Sequence, residues 1–152
     1  MTTPLRCVVD ASVGIKQFIP DPLSSKVVDL FARLSSPETE IYVPDLFYIE
    51  SANILWKYVR AGRYAVALAQ GNLGSLKALP LRVVSTAELM EEAVNIGLNY
   101  GITAYDACYV ALSQQVSAPL LTLDERLVSA VAAASYDVRS LNHFTMTPLP
   151  ES

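Results

Sequence analysis

Soft metal ligands are scarce in this sequence, which has one histidine, His143, and two cysteines, Cys7 and Cys108. Both cysteines lie in apolar surroundings with no histidine or further cysteine nearby, so neither a zinc site nor a disulfide framework is indicated. They are expected to be reduced core residues. Also missing is any run of the roughly 18 to 20 unbroken apolar residues that a membrane span needs, and the N-terminus has no basic region leading into an apolar signal core. The expected location is therefore the cytoplasm, with no membrane partner. Charged residues make up only 17% of the 152 residues while 52% are hydrophobic, enough apolar material for one core. There is no internal repeat, low-complexity tract or linker-like shift in composition. A single domain is expected over residues 1–144, followed by a loosely held tail, 145–152, that carries Pro148 and Pro150.

Basic residues are also few, 11 against 15 acids, for a net charge of −4. Taken alone, that balance argues against nucleic acid as a partner, because binding phosphates leaves a basic footprint. Four of the acids, Asp10, Glu50, Asp106 and Asp124, account for the whole imbalance. Without them the chain is neutral, and a metal ion bound among them would largely cancel their charge.

Short runs rich in β-branched residues predict strands at Arg6 to Val9, Ile41 to Val43, Leu81 to Val84 and Pro119 to Thr122, with a weaker one near Val138. Helical spacing fills the intervals at Ser24 to Leu34, Leu46 to Ala61, Tyr64 to Leu79, Ala87 to Asn99, Ala104 to Gln115 and Glu125 to Ala134. Ser85, three residues before Glu88, reads as a capping box, Thr103 as a cap, and Gly62 and Gly101 as helix stops. Strands alternating with helices predict an α/β fold, a three-layer α/β/α arrangement around a mostly parallel sheet.

Ligands of an open parallel sheet bind beyond the carboxyl ends of its strands. Asp10 follows the strand run Cys7-Val8-Val9, and Asp124 follows Leu120 to Leu123, so both fall at that edge if the two strands are neighbours. Each is equally well explained as a helix N-cap. Glu50 and Asp106 are more informative, because each lies inside an apolar helical pattern. Glu50 is surrounded one turn away by Leu46, Phe47, Asn53 and Ile54, and Asp106 by Ile102, Thr103, Tyr109 and Val110. No base lies between Pro44 and Leu55, and Asp106 is the only charged residue between Gly97 and Pro119. Burying an unpaired carboxylate costs several kcal/mol, so such a group is protonated, paired from afar or bound to a cation. With four acids and oxygen-only ligands, a hard ion is expected, Mg²⁺ or Mn²⁺. That chemistry suits phosphodiester hydrolysis, in which the ion polarises the phosphoryl oxygen and acidifies a bound water.

With these residues placed, the chain resembles a PIN domain, and among PIN domains the VapC-like toxin ribonucleases of bacterial and archaeal type II toxin–antitoxin pairs. The resemblance runs from Cys7 to about Phe144. It is carried by V-V-D-A-S at Val8 to Ser12, P-D-L-F-Y-I-E-S-A-N-I-L at Pro44 to Leu55, T-A-Y-D-A-C-Y-V-A-L at Thr103 to Leu112 and L-T-L-D at Leu121 to Asp124. It implies that Asp10 and Asp106 are the central metal ligands, that Glu50 and Asp124 complete the acidic cluster directly or through water, and that Ser12 lines the site. It further implies cleavage of single-stranded RNA, a homodimer, and inhibition by a cognate antitoxin protein.

The substrate path is less defined. Lys57, Arg60 and Arg63 form the one basic cluster and could meet phosphates, although bases at a helix C-terminus also stabilise its dipole and snorkel over apolar surface, the reading favoured here. His143 is expected at the surface or in packing. Tyr105 and Tyr109 flank Asp106, where core packing is favoured over base stacking. A haloacid-dehalogenase-type phosphatase needs a second carboxylate where Ser12 stands. A receiver domain needs a phosphoacceptor aspartate and a later lysine at strand ends that here read Pro44-Asp45 and Ser85-Thr86. The remaining alternative is a catalytically inactive PIN-like module that binds RNA or protein.

Overall fold

A computed structural model of the protein describes residues 4–146; the tail expected from Thr145 onward lies, from residue 147, outside them. The β-branched runs become five strands: β1 (Arg6–Val9), β2 (Glu40–Pro44), β3 (Arg82–Val84), β4 (Leu120–Thr122) and β5 (Val138–Ser140). They pair side by side in the order β3-β2-β1-β4-β5, and every pairing is parallel. Cys7, Val8 and Val9 of β1 and Leu120, Leu121 and Thr122 of β4 are fully buried, as expected for central strands covered on both faces. The edge strand β3 is mostly exposed.

Helices supply the crossovers: α1 (Ala11–Gly14), α2 (Ser24–Ala32), α3 (Leu46–Arg60), α4 (Val66–Ala78), α5 (Met90–Tyr100), α6 (Ala104–Val116) and α7 (Glu125–Ala130). From β1 the chain steps outward through β2 to β3, then crosses back to β4 and continues to β5. Because such crossovers are right-handed, the two directions lay their helices on opposite faces, giving the α/β/α layers. The direction reverses between β1 and β4, so the crevice of this sheet opens at the ends of those two strands.

Several element ends differ from the sequence-based expectation. The short helix α1 and the 3-10 turn Ile15–Gln17 behind it are too brief to show a period, and they exist because Asp10 caps α1 with its side chain. Ser85 does cap, but its hydroxyl accepts from the Ala87 N–H at 3.2 Å and sets a 3-10 turn, Thr86–Glu88. The buried Leu89 draws the chain inward before α5 begins at Met90. Helix α7 stops at Ala130, four residues early, where buried Val131 ends the helical bonding and the chain turns towards β5. Gly62 and Gly101 stop their helices in the left-handed region, with φ of 74° and 68°. Thr103 caps α6 by accepting from the Asp106 N–H at 3.1 Å. Both cysteines are free and buried, with burial pushing the Cys7 thiol up to about 12 and the Cys108 thiol up to about 11. His143 is exposed. Phe144 and Met146 still pack against the core.

The α5–α6 pair sets the position of the α6 N-terminus, and Gly97 allows its close approach. A Cβ at residue 97 would lie 2.8 Å from the Ile102 carbonyl oxygen, a backbone atom that cannot swing aside. Gly97→Ala is therefore expected to destabilise the protein by about 1–3 kcal/mol despite the better helix propensity of alanine. Urea denaturation of the two proteins checks this, and an unchanged midpoint would mean that the α5–α6 turn relaxes freely.

Candidate active site

At the reversal point of the sheet, β1 ends in Asp10 and β4 in Thr122-Leu123-Asp124. Both aspartates cap the helices that follow: Asp10 Oδ1 accepts from the Val13 N–H at 3.2 Å, and Asp124 Oδ1 accepts from the N–H groups of Arg126 and Leu127 at 3.0 and 3.2 Å. Capping and exposure to the crevice are not alternatives here. The cap fixes each carboxylate at the strand end and engages only one of its two oxygens.

Asp10 is held most tightly. Its Oδ1 also accepts from the Ser12 hydroxyl at 2.5 Å, and its Oδ2 accepts from the Thr122 hydroxyl. Ser12 Oγ in turn accepts from the Leu123 N–H at 3.1 Å and Thr122 Oγ1 from the Asp124 N–H at 3.0 Å, which locks the ends of β1 and β4 together. Asp10 is 8% exposed. Burial raises its pKa to about 6; the hydrogen bonds from Ser12, Thr122 and Val13 work against that rise, and the Asp106 charge adds to it.

Glu50 projects from α3 and Asp106 from the first turn of α6, both half-buried. The Tyr109 hydroxyl donates to Glu50 Oε1 at 2.5 Å, tying α6 to α3 and leaving Oε2 without a protein donor among the described residues. Burial raises the pKa of Glu50, with the Tyr109 hydrogen bond opposing and the Asp106 charge reinforcing the rise. Burial is also the main cause of the upward shift at Asp106, followed by repulsion from Asp124. The acids thus affect one another in a chain, Glu50 and Asp10 each responding to Asp106, and Asp106 to Asp124.

Asp10, Ser12, Glu50, Lys57, Asp106 and Asp124 all line one cleft of about 830 Å³. Among the described residues none of the four acids forms a salt bridge. The donor set is oxygen only, which fits a hard divalent ion. Among the described residues, no three side chains of Asp, Glu, His or Cys stand close enough to hold a metal ion directly. That spacing fits an ion that keeps much of its water and takes one or two carboxylates, as Mg²⁺ does.

The PIN domain pattern matches residues 7–133, a stretch that contains all four acids. The chain belongs to the PIN domain family. Among PIN proteins it is similar to Ribonuclease VapC3 of Pyrobaculum aerophilum, 35% identical over 131 residues that cover 85% of this chain and 97% of the relative. It is also similar to Ribonuclease VapC3 of Mycobacterium tuberculosis strain H37Rv, 31% identical over 120 residues, or 73% and 86% of the two chains. Its fold is shared by the crystal structure of PAE2754 from Pyrobaculum aerophilum, with a TM-score of 0.69 at 21% identity and 93% coverage of both chains. A toxin–antitoxin complex from Klebsiella pneumoniae contains the same PIN fold, with a TM-score of 0.63 at 15% identity, covering 89% of this chain and 97% of that one.

The basic cluster expected from sequence is divided in this PIN fold. Lys57 lines the cleft, whereas Arg60 lies over the Trp56 ring at 5.2 Å and Arg63, beyond the left-handed turn at Gly62, over the Tyr58 ring at 5.5 Å. Sequence reasoning passed over Thr122 and Trp56 and assigned Tyr109 to packing. Thr122 stands two positions before Asp124, and its hydroxyl at a strand end was the available signal. Tyr109 is buried, as packing required, yet also serves as the donor to Glu50. Trp56 lines the cleft while 52% exposed, and its place seven residues after Ile49, which also lines the cleft, put the two on one side of α3.

Proposed function

We propose that the protein is a Mg²⁺- or Mn²⁺-dependent endoribonuclease that cleaves single-stranded RNA, acting as the toxin of a toxin–antitoxin pair. The observation that carries this reading is the meeting of Asp10, Glu50, Asp106 and Asp124 in one cleft at the reversal point of a parallel sheet, with no salt-bridge partner for any of them among the described residues. The similarity to proteins named ribonucleases supports the reaction class.

A divalent ion bound here supplies positive charge to the scissile phosphate and a more acidic water. Asp10 and Asp106 are the residues that would hold it, with Asp124 contributing directly or through water. Ser12 and Thr122 keep the Asp10 carboxylate in one orientation, and Oδ2, with Thr122 as its one protein donor among the described residues, is the oxygen that would meet the ion. Glu50 offers Oε2 to take a proton from the attacking water. Its raised pKa makes it a better proton acceptor than an exposed glutamate.

Chelation tests the metal requirement. Purified protein should cut single-stranded RNA in Mg²⁺ or Mn²⁺, stop in EDTA and recover when Mn²⁺ is added in excess. Activity that persists in EDTA would sink the reading, and a chain that neither cuts RNA nor binds metal by calorimetry would be the inactive binding module instead.

Tyr109→Phe gives a finer test. It removes the one donor that favours ionised Glu50 and leaves the ring packing in place, so the acid limb of the pH–rate profile should move to higher pH while thermal stability changes little. An unmoved limb would show that Glu50 does not titrate in the rate-limiting step.

The proposed partners besides RNA are a cognate antitoxin and a second copy of the chain. A toxin–antitoxin complex of the same fold supports the first. Met90, Val94 and Leu98, four residues apart on α5 and each at least half exposed, form an apolar stripe that fits self-association. No helix among the described residues is long and apolar enough to cross a membrane, and the proposed site of action is the cytoplasm.

A further inference from the structure

The cleft extends well past the four acids. From Glu50, α3 continues to Trp56 and Lys57, about 10 Å further along its axis, and both still line the cleft. Trp56 exposes 52% of its surface and Tyr105, beside Asp106 at the start of α6, exposes 63%. The two rings stand on the two helices joined by the Tyr109–Glu50 hydrogen bond. Neither is needed to fill the core, and large rings left half open beside charged groups are unusual unless something covers them.

The surroundings of Trp56 indicate what that is. Its neighbours on the α3 surface are Asn53, Lys57 and Arg60, at positions three before, one after and four after it. They supply an amide and two cations. The Arg60 guanidinium lies 5.2 Å from the Trp56 ring centroid. A base stacked on Trp56 would thus bring its phosphate towards the Lys57 ammonium on the cleft wall and the Arg60 guanidinium at the ring. Alternation of aromatic face with cation beside the acidic cluster is the surface that binds single-stranded nucleic acid without reading sequence, and Ile49 and Ile54, which also line the cleft, extend the face against which a base can lie.

Resting on the nuclease reading above, we propose that Trp56 and Tyr105 are base-stacking residues that seat the nucleotides flanking the scissile phosphate, with Lys57 and Arg60 meeting the backbone. Stacking explains how a chain of net charge −4 holds a polyanion with few bases: part of the affinity comes from ring contact, which charge does not oppose.

Trp56 is the only tryptophan in the chain, so its fluorescence reports directly on this position. The protein is titrated, in Mg²⁺, with a short single-stranded RNA bearing cleavage-resistant phosphorothioate linkages, and with a matched strand carrying abasic positions. The intact strand should quench the tryptophan saturably and the abasic strand much less. In cleavage assays Trp56→Ala and Tyr105→Ala should each raise KM about five- to 150-fold with kcat nearly unchanged. Trp56→Phe should recover most of that loss and Trp56→Leu little, with unchanged circular dichroism showing that each variant folds.

If the wild type cleaves RNA while the tryptophan signal and the KM of Trp56→Ala stay as they were, the stacking proposal is overturned and the nuclease reading stands. The same holds if Trp56→Ala leaves KM alone but dissociates a dimer seen by sedimentation, which would give the face to a protein. A wild type that cuts no RNA in either metal overturns both together.

Discussion

Asp106→Asn is expected to lower RNA cleavage in Mg²⁺ or Mn²⁺ on the order of a thousandfold or more, corresponding to a barrier increase of about 4 kcal/mol. Asparagine keeps the size of the side chain and leaves the Thr103 cap on the backbone of residue 106 intact. The helix and its packing should therefore survive, and the change is confined to charge. In the cleft Asp106 interacts with three other acids: it raises the pKa of Asp10 and of Glu50 and is itself raised by Asp124. Removing its charge relieves that repulsion, so the variant should be at least as stable as the wild type while its affinity for divalent ions falls. Parallel measurement of cleavage, metal affinity by calorimetry and thermal midpoint separates these effects. Equal cleavage by wild type, Asp106→Asn and Asp10→Asn would identify a contaminating nuclease and remove the basis of the functional proposal. A variant that is inactive because it unfolds would show instead that Asp106 holds the fold.

Much of the architecture is legible in the sequence because the strands of a parallel sheet are short, β-branched and separated by crossover helices. Arg6 to Val9 is read with its observed ends, and the remaining strands within a residue or two. What escapes is local and has local causes. Ala11–Gly14 is a single turn held by the Asp10 side chain, and no periodicity can announce four residues. The Ser85–Glu88 spacing matches a capping box, but its outcome depends on where Leu89 is buried, a tertiary fact. Strand order is likewise invisible locally, and it is the pairing of β1 with β4 that makes neighbours of Asp10 and Asp124.

The candidate site divides in the same way. Glu50 and Asp106 could be found by their lack of any local base within an apolar pattern, and the structure leaves them half-buried and without a salt bridge among the described residues. Their hydrogen-bond partners could not be found, because Tyr109 reaches Glu50 across 59 positions and Thr122 reaches Asp10 across 112. Lys57, Arg60 and Arg63 looked like one patch because they are close in sequence. Once Gly62 turns the chain and two guanidiniums settle over aromatic rings, only Lys57 of the three lines the cleft directly, and Arg60 borders it at the Trp56 ring.

The second large effect concerns stability. With a pKa raised from 3.8 to about 6, Asp10 binds a proton more readily in the folded protein than in the unfolded chain. Folding stability without metal should consequently rise as pH falls from about 7 towards 4, the interval in which the folded state carries the extra proton. Above pH 6 the buried charge costs about 3 kcal/mol relative to an unshifted aspartate. Glu50 and Asp106 shift in the same direction. The lowered carboxylates Asp21, Glu40 and Glu125 act oppositely, their contribution being present above the ordinary carboxylate range and lost as pH falls through their own folded values. Asp10→Asn should therefore raise the metal-free stability at pH 7.5 by about 1–3 kcal/mol, somewhat less than the full charge cost because the amide must reorient the Thr122 hydroxyl. Mn²⁺ should reverse the ranking, stabilising the wild type strongly and the variant weakly, and its benefit to the wild type should fade below pH 5 as protons compete for Asp10. Urea titrations at pH 5 and 7.5, with Mn²⁺ and with EDTA, give all four comparisons. If Asp10→Asn is the less stable protein at pH 7.5 in EDTA, the carboxylate acts mainly as the cap of α1 and the tie to β4, and the strain attributed to its buried charge is absent.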